Sequence, residues 1–262
     1  MSESKVIERK EGAVGWLVFS NPAKRNAMSV NMWQAIPPAL ERFGADPEIR
    51  VVALAGDGDK AFVSGADISQ FETQRSGPEA VQRYEEISEG AQRLIHEFDK
   101  PTVAVVRGYC LGAGVNIALA CDLRIAADDA RFGIPAARMG LGYRASSLKN
   151  LVDAVGAANA REFLITARQF TAAEALHIGL AHHVVPVSDF STFTSKFLAD
   201  IASNAPLTMR SAKRIIRELL RTGDSFDAAK ARAWMKECYD SADYKEGRAA
   251  FMEKRKPVFT GK

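Results

Sequence analysis

The sequence predicts an α/β core over residues 1–200, followed by a C-terminal helical region over residues 201–262. Two observations indicate this fold class. Strand-like and helix-like segments alternate through the first half of the chain, a pattern typical of strand–helix units joined by right-handed crossovers. After about Ser147, apolar residues recur almost throughout at helical spacing, and strand signals become rare.

The predicted helices are amphipathic or buried segments. Ser29 is the predicted N-cap of the first one, in which Pro37 and Pro38 are expected to cause a kink or a split. Thr171 and Glu174 form a capping-box pattern that opens a later helix. The predicted helices cover residues 29–43, 78–98 and 110–121, together with the segment that starts at 171. The predicted strands are short apolar runs at 13–19, 50–55, 102–106 and 123–127.

Composition and charge exclude several classes of function. Of 262 residues, 47% are hydrophobic and 26% are charged, as in an ordinary globular protein. A net charge of +3 without a basic block does not indicate a nucleic-acid partner. Three cysteines without a CxxC pair argue against a disulfide framework or a zinc site. No apolar run approaches the roughly 20 residues that cross a bilayer. We therefore expect a protein without metal or membrane, in a reducing compartment, the cytoplasm.

Three segments have residue types that are unusual for purely structural elements. Residues 62–68 follow a strand and contain Gly65, although a simple strand-to-loop turn has the same pattern. Glycines crowd a predicted helix start in residues 108–118, which brings unpaired backbone N–H groups together and favours an anion. Close helix–sheet packing also uses such small residues, and Ile117 breaks the dinucleotide-binding glycine pattern. Residues 130–144 form a long connection, either functional or a plain surface loop.

Taken together, the order and spacing of these segments resemble the crotonase (enoyl-CoA hydratase/isomerase) family. The resemblance extends from about Val14 to the C-terminus and rests on residues 21–28, 60–68, 100–114, 118–127, 130–133 and 251–256. It implies a spiral of ββα units with a C-terminal helical region that mediates homotrimers, often paired into hexamers. It also implies an acyl-CoA substrate, with coenzyme A as part of the substrate and no separate cofactor, and the chemistry of a lyase in fatty acid metabolism.

The resemblance further implies which residues form the site. The backbone N–H groups of Ala66 and Ala113 correspond to the oxyanion hole that stabilises a thioester enolate. The coenzyme A portion is expected near two groups of residues, one from the first half of the chain and one from its tail: Lys24, Arg25, Ala27, Ala66, Asp67 and Ile68, and Phe251 and Lys254. Among nearby carboxylates, Asp67 is expected to orient its loop rather than act as a base, and Glu72 is the other candidate.

The sequence departs from the family at both usual catalytic glutamates. The corresponding positions hold Asn116 and Ala136, neither of which accepts a proton near neutral pH. Residues 141–151 resemble the loop of methylmalonyl-CoA decarboxylase that carries a tyrosine, here Tyr143. A decarboxylation would need a carboxylate holder, either Arg138 or Arg144, and a hydrogen bond from Asn116; that decarboxylase, however, has histidine where this chain has Ala66. A non-catalytic acyl-CoA-binding member is the remaining alternative, whereas RNA binding has little support.

Overall fold

The computed structural model describes residues 4–67, 78–220 and 226–262. Its strands are β1 Lys5–Glu11, β2 Val14–Ser20, β3 Val51–Gly56, β4 Ala61–Val63, β5 Thr102–Val106, β6 Tyr109–Leu111, β7 Leu123–Ala127, β8 Arg131–Gly133, β9 Phe170–Thr171 and β10 His183–Val185. Its α-helices are α1 Val30–Ala45, α2 Pro78–Glu97, α3 Ala113–Ala120, α4 Ala145–Ile165, α5 Ala172–His177, α6 Val187–Ala202, α7 Pro206–Leu219, α8 Ala228–Asp240 and α9 Ala242–Glu253. Short 3-10 turns cover Pro22–Lys24 and Pro135–Met139.

The strands form two sheets, and from β3 to β8 successive strands belong to the larger and the smaller sheet in turn. The larger sheet has the order β1-β2-β3-β5-β7-β10 and is parallel apart from the β1–β2 hairpin. The smaller sheet has the order β4-β6-β8-β9, with β9 antiparallel. In each of three successive units, the first strand joins the larger sheet, the second joins the smaller one, and a helix follows. This confirms the predicted spiral of ββα units.

The larger sheet is buried on both faces, as is usual for parallel sheets covered by helices. One face contributes Leu54 and Ala104 to the main core, which includes the fully buried Trp33 and Phe132. The opposite face carries the side chains of Val103 and its neighbours, which pack against α6. This double burial explains why β3 and β5 are almost entirely apolar rather than alternating.

Several local predictions are confirmed. Ser29 caps α1 by accepting a hydrogen bond from the amide of Met32, and Thr171 and Glu174 form a complete capping box. The expected split at Pro37 and Pro38 is absent, because α1 continues through both residues. The predicted division after residue 200 stays a prediction, and it falls in the last turn of α6. No described helix combines the length and apolar character required to cross a membrane.

Two predictions of local structure were wrong or incomplete, and one strand was not predicted. The strand that was not predicted is the charged segment β1, which pairs along its whole length with β2. Cys110 lies in the buried strand β6, so the predicted helix 110–121 begins only at Ala113. The connection 130–144 is not wholly irregular, since it contains β8 and the turn Pro135–Met139.

Candidate active site

The three parallel strands of the smaller sheet end side by side, and the chain that leaves each strand forms one wall of a cavity. Residues after β4 include Gly65 and Ala66, those after β6 include Gly112 and Ala113, and those after β8 include Pro135. The carboxyl ends of parallel strands are the usual ligand-binding edge of such sheets. The cavity has a volume of about 180 Å³.

The amide of Ala66 is directed away from its neighbouring segment. Met28 donates to the carbonyl of Gly65 at 2.8 Å, and Asp67 donates to the carbonyl of Met28 at 2.9 Å. In a parallel pairing of this kind the residue between the two bonds turns its own N–H to the opposite side. Ala66 lines the cavity, and its amide donates no hydrogen bond to any other part of the described chain.

The amide of Ala113 belongs to the first turn of α3, where a helix has no internal acceptor. The preceding Gly112 has φ of 51° and ψ of −108°, a conformation that glycine adopts readily and other residues do not. Gly112 in turn donates to the carbonyl of Gly133 at 2.8 Å, which ties the turn to β8. Both Ala113 and Ala66 therefore line the same cavity, and the backbone N–H group of each has no partner among the described residues.

Close packing of backbone against backbone holds these two turns together. A Cβ atom on Gly114 would lie 2.2 Å from the carbonyl oxygen of Val63, a distance that real side chains do not reach. A Cβ atom on Gly112 would lie 3.8 Å from the Cα atom of Gly65. The start of α3 thus rests directly on the end of β4, and the relative position of the two amides depends on this contact.

The two positions of the family glutamates, Asn116 and Ala136, both line the cavity. The Tyr143 hydroxyl donates a hydrogen bond of 2.8 Å to Oδ1 of Asn116. Burial raises the pKa of Tyr143 to about 12, and the bond to Asn116 offsets only part of this effect. Tyr143 is therefore a neutral hydroxyl at physiological pH, able to give a proton but not to remove one.

Arg144 connects the loop after β8 with α2. Its guanidinium donates to the carbonyl of Glu85 at 2.9 Å and to the hydroxyl of Ser88 at 3.2 Å, and it lies 3.7 Å from a carboxylate oxygen of Glu89. Both of these hydrogen bonds and the ion pair are directed at α2. Arg138, the other predicted carboxylate holder, is exposed and does not line the cavity.

Comparison with known proteins places the chain among acyl-CoA enzymes. A family model described as enoyl-CoA hydratase/isomerase matches residues 9–262. The chain belongs to the enoyl-CoA hydratase/isomerase family. Crotonyl-CoA hydratase of Syntrophomonas wolfei is 34% identical over 263 residues, which are 100% of both chains. Methylmalonyl-CoA decarboxylase of Escherichia coli is 32% identical over 251 residues, which are 95% of each chain.

Solved structures agree with this assignment. The crystal structure of an enoyl-CoA hydratase/carnithine racemase from Magnetospirillum magneticum has a TM-score of 0.92 and 34% sequence identity, covering 100% of this chain and 97% of that one. Membership of the enoyl-CoA hydratase/isomerase family confirms the resemblance found in the sequence, the crotonase-type fold and the general class of enzyme.

The structure brings only some of the residues predicted to contact coenzyme A close to one another. Lys24 forms a two-pronged ion pair with the buried Asp67, at 2.9 and 2.8 Å. That Asp67 orients its loop stays a prediction. The Arg25 guanidinium lies 4.8 Å from the centre of the Tyr109 ring and is exposed. Ala27 is buried. Ile68 and Glu72 lie outside the described residues.

The two tail residues predicted for coenzyme A lie apart from the cavity. Phe251 is 83% exposed and lines a separate apolar groove of about 750 Å³ between α7, α8 and α9. Lys254, which ends α9 in a left-handed conformation, is also exposed. Among the described residues of the chain, neither Phe251 nor Lys254 lines the cavity at the strand ends.

Sequence reasoning missed one wall of the cavity. Tyr84, Ser88 and Gln92 follow one another at intervals of four along α2, so that they share one face, and Ser147 faces them from α4. Ser88, Gln92 and Ser147 are at least nine-tenths buried. The signal was present in the sequence, because Ser88 and Gln92 interrupt a stripe that is otherwise apolar. Among the described residues that line the cavity, Glu85 is the one with a carboxylate side chain.

Proposed function

We propose that this enzyme releases CO₂ from a malonyl-type acyl-CoA, stabilises the resulting thioester enolate with the amides of Ala66 and Ala113, and protonates it with Tyr143. The observation that carries the proposal is the hydrogen bond between Tyr143 and Asn116 inside the cavity. It brings a protonated hydroxyl to the position at which family hydratases are expected to have a glutamate.

The need for two amide donors follows from the charge on the enolate. Loss of CO₂ leaves an electron pair that is delocalised onto the thioester oxygen. Fixed donors aimed at such an oxygen lower the barrier by roughly 3–4 kcal/mol each, judged from the removal of single donors in other enzymes. The N-terminal end of α3 adds its partial positive charge at Ala113.

The proposed step balances without an added base. The bond between the α-carbon and the carboxylate breaks, CO₂ leaves, and its bonding electrons form the enolate. Tyr143 then gives its hydroxyl proton to the α-carbon, and the tyrosinate recovers a proton from solvent. The raised pKa of Tyr143 suits this order of events, since the hydroxyl is fully protonated before each turnover. Asn116 orients that hydroxyl through Oδ1.

A second candidate function is hydration or isomerisation with Glu85 as the base. It is favoured by a single observation, namely that Glu85 is the described residue that brings a carboxylate to the cavity wall. The residue is exposed, and its carbonyl rather than its carboxylate accepts the bond from Arg144. A non-catalytic acyl-CoA-binding member would show neither reaction.

The deciding experiment is a mass-spectrometric screen of malonyl-, methylmalonyl-, ethylmalonyl- and crotonyl-CoA with matched variants. We expect CO₂ release from at least one malonyl-type substrate, and a loss of about 100-fold or more in Tyr143→Phe, because a proton-transfer group contributes roughly 10²–10⁴-fold. Ser203→Ala, which removes an exposed hydroxyl at the end of α6, away from both the cavity and the C-terminal groove, is the control and should keep full activity. Absence of CO₂ from every malonyl-type substrate refutes the proposal.

The same screen separates the second candidate. A hydratase that depends on Glu85 would add water to crotonyl-CoA, lose this activity in Glu85→Gln, and retain it in Tyr143→Phe. Binding of the thioesters without any product would instead indicate the non-catalytic alternative. Because each outcome requires a different set of active variants, one panel of proteins decides among the three.

We also propose that the enzyme assembles as a homotrimer or a dimer of trimers. Support comes from the apolar groove of the C-terminal helices, whose exposed lining includes Met235, Tyr239, Phe251 and Met252. Exposed apolar surface of this kind commonly marks an interaction site. Light scattering should give three or six times the 28.5-kDa chain mass; a monomer at micromolar concentration would contradict the assembly. Contribution of Phe251 and Lys254 to coenzyme A binding stays part of this proposal.

A further inference from the structure

The wall of the cavity formed by α2 and α4 contains polar side chains with two different kinds of surroundings. Ser88 is fully engaged, because its hydroxyl donates to the carbonyl of Glu85 and accepts from Arg144. Gln92 and Ser147 are 8% and 5% exposed, respectively. Neither of these two side chains makes a hydrogen bond within the described parts of the chain.

The unpaired groups of Gln92 and Ser147 meet the cavity rather than the packed interior. Among the described residues, the buried side-chain polar atoms that are sealed off without a partner are Nε1 of Trp16 and Oγ1 of Thr194. Both of those lie beside a different depression. The amide of Gln92 and the hydroxyl of Ser147 are therefore not enclosed by protein, and the space that they reach is the site cavity.

A ligand that fills the cavity encloses the Gln92 amide and the Ser147 hydroxyl, and an enclosed polar group without a hydrogen-bond partner is costly. A ligand that supplies the partner is therefore favoured over one that does not. A cavity of about 180 Å³ is also small beside the roughly 300–1,000 Å³ of pockets for drug-sized ligands. Long hydrocarbon chains would satisfy neither condition. A short acyl group that carries an oxygen atom would satisfy both.

We propose that Gln92 and Ser147 form a recognition subsite for an oxygen-bearing substituent of a short acyl group. The inference rests on the proposed function, in which the acyl-CoA thioester occupies this cavity, and it names the chemistry that selects the substrate. The substituent is a carboxylate, as in a malonyl-type substrate, or a neutral hydroxyl or carbonyl group. Gln92 can donate or accept a hydrogen bond, and Ser147 can do the same.

The test compares four acyl groups of equal chain length. Dissociation constants are measured by calorimetry for butyryl-, 3-hydroxybutyryl-, acetoacetyl- and succinyl-CoA, which carry no further oxygen, a hydroxyl, a carbonyl and a carboxylate, respectively. At least one oxygen-bearing thioester should bind about tenfold more tightly than butyryl-CoA, as expected for hydrogen bonds to groups that otherwise stay unpaired. The preferred member identifies the substituent.

Two variants assign the preference to the proposed subsite. Gln92→Met keeps the length of the side chain without its amide, and Ser147→Ala removes the hydroxyl. Each should reduce the preference several-fold, and the double variant should abolish it, while the dissociation constant of butyryl-CoA stays within twofold. Thermal midpoints should be unchanged, because neither side chain makes a hydrogen bond within the described residues that holds the fold together. An unchanged midpoint excludes misfolding as the cause.

The outcomes that overturn the inference differ from those that overturn the proposed function. Equal binding of all four thioesters, or a preference that survives in the double variant, overturns the recognition subsite alone. Failure of all four to bind overturns the acyl-CoA site itself, and the subsite with it.

Discussion

Gly114→Ala tests whether the contact between α3 and β4 sets the geometry of the two amides. The new Cβ atom would start 2.2 Å from the carbonyl oxygen of Val63, whereas real Cβ contacts are not found below 3.0 Å. The start of α3 must therefore move by at least about 0.8 Å relative to the end of β4. That movement separates Ala113 from Ala66 by a comparable amount.

A displacement of this size has a predictable effect on catalysis. Misplacement of catalytic groups by about 1 Å costs on the order of 10²-fold in rate, and overpacking costs about 1–3 kcal/mol of stability. We expect a fall in kcat of about 100-fold for CO₂ release, together with a thermal midpoint lowered by several degrees. Initial rates of CO₂ release and thermal unfolding monitored by circular dichroism measure the two effects separately.

Gly90→Ala is the matched control, because a Cβ atom at Gly90 in the middle of α2 has no neighbour within 4 Å. It should leave kcat unchanged and raise stability by about 0.5–1 kcal/mol, since glycine is unfavourable inside a helix. If Gly114→Ala keeps both its thermal midpoint and a kcat within threefold of the unmodified enzyme, the reasoning about the two amides is wrong.

Three further predictions concern individual side chains. Because burial raises the pKa of Tyr143 to about 12, the rate of CO₂ release should stay constant from about pH 7 to pH 10. A decline of the rate near pH 10, the usual pKa range of tyrosine, would contradict the role of Tyr143 as the proton donor. Arg144→Met removes the hydrogen bonds to the carbonyl of Glu85 and to Ser88. It should lower the free energy of unfolding, measured by urea denaturation, by about 1 kcal/mol. Arg144→Lys should recover only part of the loss, and full recovery would show that charge alone matters. Burial raises the pKa of the Cys121 thiol to about 12 and that of Cys110 as well. A thiol reagent should therefore leave these two cysteines unlabelled in the native protein and label all three after denaturation; rapid labelling of Cys110 or Cys121 in the native state would contradict this burial.

Much of the fold could be predicted from local patterns, and the failures have identifiable physical causes. Parallel strands buried on both faces have apolar runs that are easy to recognise, as in β3 and β5. The strand β1 carries charges along most of its length, because it lies at the edge of the sheet and pairs on one side only. The three-residue strand β6 is buried and directly precedes α3, so its apolar residues extend the helical pattern of the next element.

The candidate site was predictable where motifs carry it and unpredictable where tertiary contacts do. Asn116 and Tyr143 are 27 residues apart in the chain, and their hydrogen bond depends on how α3 and the loop after β8 meet. The sequence indicated both residues only through the family resemblance. Gln92 lies on a helix whose orientation is set by packing against α1 and α3, so periodicity alone could not show which side chains face the cavity.

The three ββα units contribute different kinds of groups to the site. The first two units contribute the backbone groups that would activate the thioester. The side chains that would decide where protons go are Asn116 in the second unit and Ala136 and Tyr143 in the third. A main-chain N–H donor is kept in most substitutions, whereas a functional side chain is lost. Substitutions at these few side-chain positions can therefore convert one reaction into another, while the backbone donors that would polarise the carbonyl are retained.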